Sequence, residues 1–105
     1  MSEHYTELTS KDFDSKTKKG KWVLDFWATW CGPCRMLAPV FEEVAKEMKS
    51  KVNFGKIDID GQQELAEKFE VMSIPTLIFL KDGKIVERIA GLISKDELIS
   101  LSKGI

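Results

Sequence analysis

Trp30-Cys31-Gly32-Pro33-Cys34 constrains this chain more than any other stretch, because it holds both cysteines at the join of two unlike segments. Trp22 to Ala28 reads as a strand, and Met36 to Met48 as a helix. Residues three apart share one face of a helix, so the two thiols can reach the Cα separation of about 5.5 Å that a disulfide prefers. The unpaired N–H groups and the dipole at that helix start favour negative charge. Cys31 is therefore expected to be the acidified, exposed thiol, and its thiolate the nucleophile. Pro33, with no N–H and a fixed φ, suits the first turn and stiffens the link between the sulfurs. The outline is that of thiol–disulfide redox chemistry.

Acidification alone contributes little. Lowering a thiol pKa by about 1.5 units raises the thiolate fraction at pH 7 about 16-fold but weakens the nucleophile about 5-fold, a net gain of about 3-fold. Proximity is the larger effect: once Cys31 carries a mixed disulfide, Cys34 attacks it intramolecularly. Cys34, one turn into the helix, is expected to stay protonated and to need a base. Two bland alternatives compete for the pair, inert core thiols and a zinc site. A tetrahedral zinc site needs four ligands, and the chain has two cysteines and one histidine, His4, near its end, so no metal is expected.

Asp25 is the candidate base. It interrupts an otherwise apolar strand, on the same face as Trp27, and that strand leads into the cysteines. Burial raises a carboxyl pKa towards the range of a general base. Lys56, which interrupts the next apolar strand, is a candidate compensating charge; the competing reading is an edge lysine with its ammonium in water. Asp25 likewise has a competing reading, as a strand-end residue facing solvent.

The remaining pattern supplies a scaffold. Tyr5 to Leu8 is a weak strand, followed by Thr9 or Ser10 as an N-cap for a helix that carries Phe13 and ends before Gly20. Trp22 to Ala28 is nearly all apolar, as in a central strand covered on both faces, and Trp22, Phe26 and Trp27 are assigned to the core. Leu37, Phe41, Val44 and Met48 recur at helical spacing through Pro39, which predicts a kink rather than a stop. Val52 to Ile59 is a second strand. Asp60-Gly61 then turns into a short helix with Leu65, Ala66 and Phe69 inward. Leu77 to Leu80 and Ile85 to Ile89 flank Asp82-Gly83, a tight hairpin signal. Ser94 to Glu97 is a capping box that starts a last helix burying Leu98, Leu101 and Ile105. The order predicts an α/β sandwich, a mixed sheet of about five strands flanked by four helices.

At 105 residues with net charge −1, residues 1–105 make one domain, and nothing in the bulk charge attracts nucleic acid or a membrane surface. Lys16 to Lys21 is the basic cluster and reads as a solvated turn. The polar start, Met1 to Glu7, lacks the features of a secretory signal, and no apolar run approaches the roughly 20 residues of a membrane span. A cytoplasmic protein is expected, where structural disulfides are rare and a cysteine pair is more often catalytic or metal-binding.

Cys31-Gly32-Pro33-Cys34 beside Trp30, with Asp25-Phe26-Trp27-Ala28 before it, Met36 to Pro39 after it, and Ile74-Pro75-Thr76, Gly83 and Gly91 downstream, resembles the thioredoxin family. The resemblance spans essentially the whole chain with nothing appended, unlike a multidomain disulfide isomerase. It implies the thioredoxin fold, Cys31 as attacking and Cys34 as resolving cysteine, Asp25 as a buried acid with Lys56 near it, and a cis Pro75 facing the cysteines. Thioredoxin is itself a standard example of a first cysteine acidified to a pKa near 7, so that magnitude belongs to the family. The family's substrate platform maps to Trp30, Gly32, Pro33, Ile59, Ile74, Pro75, Gly91 and Leu92, with an extended substrate pairing its backbone at Ile74. Arg35 stands where the family often has lysine, which keeps the charge.

The resemblance further implies a monomeric protein-disulfide reductase and electron carrier, with no bound cofactor. Its partners are disulfide-containing proteins and a thioredoxin reductase drawing on NADPH. Two rival readings differ in class: an oxidase or isomerase on the same fold, and a binding module whose activity survives loss of both thiols.

Overall fold

The computed structural model describes residues 3–105. Its elements run β1 (Thr6–Glu7), α1 (Phe13–Thr17), β2 (Lys21–Trp27), α2 (Gly32–Met48), β3 (Asn53–Asp58), α3 (Gln63–Lys68), β4 (Thr76–Lys81), β5 (Lys84–Ala90) and α4 (Lys95–Lys103). The strands form one five-stranded sheet in the order β1-β3-β2-β4-β5. β1, β3 and β2 are parallel, while β4 and β5 run antiparallel to their neighbours. The mixed sheet and four helices are those the residue pattern predicts, and β2 is the central strand.

Alternation of side chains along the strands divides the core in two. Val23 on β2, Phe54 on β3, and Leu77 and Phe79 on β4 pack against Leu37, Phe41, Val44 and Met48 of α2 and Leu98 of α4. On the opposite face, Trp22, Leu24, Phe26, Ile57, Ile78 and Leu80 pack with Leu8, Phe13, Leu65 and Phe69. Asp25 shares the face of Val23, so this carboxyl lies under α2 rather than in solvent. Gly55 lets the sheet approach Leu8: a Cβ there would stand 2.6 Å from Leu8 Cδ1 and 3.3 Å from the Trp22 ring.

Local signals set the ends of elements. Ser94 Oγ accepts the Glu97 N–H at 3.1 Å, which caps α4. Asp82 and Gly83 have φ of 50° and 82°, the positive pair that a two-residue hairpin turn requires. α2 continues through Pro39. The first helix begins later than expected: Asp12, not Thr9 or Ser10, is its N-cap. Thr9 instead exchanges bonds with Asp12, N to Oδ1 at 2.8 Å and Oγ1 from N at 3.3 Å, closing a turn that delays the helix. β1 is shorter than Tyr5 to Leu8, spanning Thr6–Glu7, although the Leu8 N–H still donates to the Lys56 carbonyl at 2.9 Å and its side chain is buried. Lys18, Lys19 and Lys21 are solvated, and Lys16 pairs with Asp12 at 3.0 Å one helical turn away.

Candidate active site

The end of β2 delivers the chain into α2 through Ala28 to Cys31. Cys31 is the N-cap residue of α2, in extended conformation with φ −89° and ψ 113°. Its Sγ takes the place of the usual capping oxygen and accepts the Cys34 N–H at 3.1 Å. Gly32 and Pro33 form the first two helical positions, where the lack of a proline N–H leaves nothing unpaired. Cys31 and Cys34 are joined as a disulfide, with Cα atoms 5.2 Å apart. A sulfur at this position receives a helix N–H and faces the positive end of the backbone dipoles. Negative charge on Cys31 is stabilised by both.

One expectation fails here. Cys31 is 5% exposed and Cys34 is 3% exposed, so Cys31 does not stand out into solvent in the disulfide form. Cys31 and Cys34 form a buried cluster with Ala28, against which Trp27, Ile59 and Ile74 pack. Cys31 Sγ lies 3.7 Å from the Ile74 carbonyl oxygen, across a gap of 43 residues in sequence. Trp27, assigned to the core, is half-buried and belongs to this cluster.

The Ile74–Pro75 peptide is cis, and Pro75 is buried beside the cysteine cluster's Ile74. The Pro75 carbonyl accepts the Gly91 N–H at 2.8 Å, which brings Gly91 to the same end of the sheet. Gly91 has φ of 100°, a conformation that side chains rarely adopt, and the space around its α-carbon is open. Trp30, Ile59 and Ile74 line a cleft of about 320 Å³ together with Val71, Met72 and Ser73. Gly32, Pro33, Gly91 and Leu92 lie outside that cleft's lining, and Leu92 is exposed.

Asp25 is fully buried, and neither carboxyl oxygen has a hydrogen-bond partner among the described residues. Burial pushes its pKa up to about 7, against the downward pull of Lys56. Lys56 is the register neighbour of Asp25 on β3 and is 8% exposed, which excludes the edge-lysine alternative. Its ammonium makes no ion pair with Asp25. It sits over the Trp27 ring at 4.7 Å and the Tyr5 ring at 5.4 Å, so cation–π contacts hold it while its field reaches the carboxyl.

Three further features escape sequence reasoning. Trp30 is 65% exposed yet fixed, because its Nε1–H donates to Asp60 Oδ2 at 2.8 Å. Asp60 had only a turn signature, and nothing local links it to a tryptophan 30 residues away. Arg88 on β5 donates to the carbonyls of Phe69 and Glu70, capping α3 just before the Val71 to Ile74 segment. Arg35 reaches back to the Thr29 carbonyl at 3.0 Å, on the loop that precedes Cys31. Among the described residues no group of three or more His, Cys, Asp or Glu is placed to hold a metal, and no helix is long and apolar enough to cross a membrane.

A disulfide between two cysteines three apart at a helix start, on a mixed sheet of this order, is the arrangement of a thiol–disulfide oxidoreductase. The family model for thioredoxin matches residues 4–103, and the chain belongs to the thioredoxin family. Thioredoxins of Staphylococcus aureus, strains Mu50 and NCTC 8325 among them, are 50% identical over 92 residues, 88% of this chain and 88% of theirs. The crystal structure of Malassezia sympodialis thioredoxin superposes with a TM-score of 0.86 at 32% identity, covering 95% of this chain and 89% of that one.

Proposed function

We propose that the protein reduces disulfides in other proteins through a mixed disulfide on Cys31 that Cys34 resolves, and that a thioredoxin reductase supplied by NADPH restores the dithiol. The observation that carries this reading is the capping bond, Cys34 N–H to Cys31 Sγ at 3.1 Å in the disulfide form, which supports Cys31 rather than Cys34 as the attacking sulfur. The Cys31 thiolate attacks one sulfur of the substrate disulfide, forming an S–S bond while the substrate S–S bond breaks and the second substrate sulfur leaves as a thiolate, which takes a proton from water. Cys34 then loses its proton and attacks Cys31 Sγ. The first substrate sulfur leaves, and Cys31–Cys34 closes. Two electrons pass from the dithiol to the substrate at each turnover.

Asp25 is the proton acceptor for Cys34, and Lys56 is the cation that stops its pKa from rising further. Trp30, Ile59 and Ile74 offer an apolar bed, while Gly32, Pro33, Pro75, Gly91 and Leu92 complete the platform around it. An extended substrate segment pairs its backbone with Ile74, beside the sulfur it must meet. Such contacts read main chain rather than side chains, which supports a broad range of protein substrates. The protein works as a single-domain, monomeric electron carrier in the cytoplasm, with no resident cofactor.

The test is reduction of insulin disulfides with NADPH and a panel of thioredoxin reductases. Wild type is expected to couple NADPH oxidation to insulin reduction with at least one of them, and Cys31→Ser to give the uncatalysed rate. Equal activity in Cys31→Ser, or none in wild type with any reductase or with dithiothreitol, contradicts the proposal.

A further inference from the structure

Met72 is 93% exposed, the most exposed large apolar side chain among the described residues, and it lines the cleft beside Trp30, Ile59 and Ile74. It stands two residues before Ile74, whose carbonyl touches the disulfide. The segment that presents it follows the α3 end that Arg88 clamps at the Phe69 and Glu70 carbonyls, and the Val71 N–H donates to the Ala66 carbonyl, so the chain leading into Met72 is held. A flexible, polarisable thioether adapts to differently shaped apolar surfaces. The same exposure leaves its sulfur open to oxidants. Met48, 6% exposed in the core, is protected.

We propose that Met72 is an oxidation site within the docking surface, and that conversion of its thioether to the sulfoxide by a hydroperoxide selectively withdraws protein substrates. This rests on the reading of the cleft as the substrate bed. The sulfur lone pair attacks the peroxide oxygen, an S–O bond forms, and the O–O bond breaks. The expelled hydroxide, or alkoxide from an organic hydroperoxide, takes the proton carried by the oxygen now on sulfur and leaves as water or alcohol, so sulfur loses two electrons and the peroxide gains them. The product is polar and chiral where the bed needs an apolar, adaptable lip. A small disulfide, which reaches Cys31 without lying along the cleft, is unaffected.

The experiment treats the disulfide form with hydrogen peroxide, since the Cys31–Cys34 bond then shields both thiols. Dithiothreitol afterwards regenerates the dithiol and serves as electron source. Peptide mass mapping is expected to find the added oxygen on Met72 well before Met48. The KM for insulin is expected to rise about 5-fold, the loss of one apolar contact, with cystine reduction unchanged. Met72→Leu is compared with itself before and after treatment and should keep its KM; Met36→Leu, with the other exposed methionine among the described residues removed, should remain sensitive. An unchanged insulin KM in protein fully oxidised at Met72, an equal loss on cystine, or a Met72→Leu protein as sensitive as wild type overturns the inference. Untreated wild type inactive on both disulfides instead contradicts the proposed function itself.

Discussion

Cys34→Ser is expected to become a trap: incubated with cell extract, it accumulates covalent adducts with other proteins, each through Cys31. Attack by Cys31 is intact in this variant, while the closing step has no nucleophile. A well-placed intramolecular group acts at effective molarities of about 10⁵ M or more, so thiols in solution cannot replace it and turnover should fall by at least about 10³-fold. Cys31→Ser should give almost no adduct. The asymmetry does not come from exposure, since the two residues are buried to nearly the same degree, 5% and 3%. It comes from the cap: Cys31 Sγ receives the Cys34 N–H, whereas Cys34 lies inside the first turn. Non-reducing gels and adduct mapping measure it, and equal trapping by the two variants would reverse the assignment of roles.

Asp25→Ala is expected to be more stable than wild type at pH 8 and slower in the closing step. The carboxyl has a pKa of about 7 in the folded protein, above the roughly 3.9 of an unfolded aspartate. Between those values the native state keeps a proton that the unfolded state has lost. Stability therefore falls as pH rises from about 4 to about 7, and levels off above. Three units correspond to about 4 kcal/mol, from which a small cavity in the variant removes about 1 kcal/mol. Denaturant melts should show the variant ahead by about 3 kcal/mol at pH 8 and behind by up to about 1 kcal/mol at pH 4. Loss of a general base should slow closure on the order of 10²-fold. A stability difference that does not change with pH would remove the buried-base account.

What the sequence discloses is what its local segments decide for themselves. The α2 stripe of Leu37, Phe41 and Val44, the Ser94 cap and the Asp82-Gly83 turn are local, and each is found where its residues place it. The cysteine pair is legible for the same reason: its spacing and the helix start lie within five residues. Lys56 shows the limit. A lysine in a strand is usually wet at its tip, and only the pairing of β3 inside the sheet, with Trp27 and Tyr5 beneath the ammonium, makes it interior. The Trp30–Asp60 bond and the Arg88 clamp on α3 likewise join distant segments that carry no shared pattern. Burial of Cys31 is a tertiary effect too, produced by Ile59 and Ile74 from two other loops closing over the helix start.

The proposed reaction has a fixed order, attack by Cys31 followed by closure by Cys34. Single-turnover rapid quench tests it directly: fully reduced wild type is mixed with a disulfide-bonded protein, trapped with acid at successive times, and digested for mass mapping. The substrate should appear first as an adduct on Cys31 alone, which then decays at the rate at which the Cys31–Cys34 disulfide forms. Adducts that begin on Cys34, or a Cys31–Cys34 disulfide that forms without substrate reduction, would contradict the account.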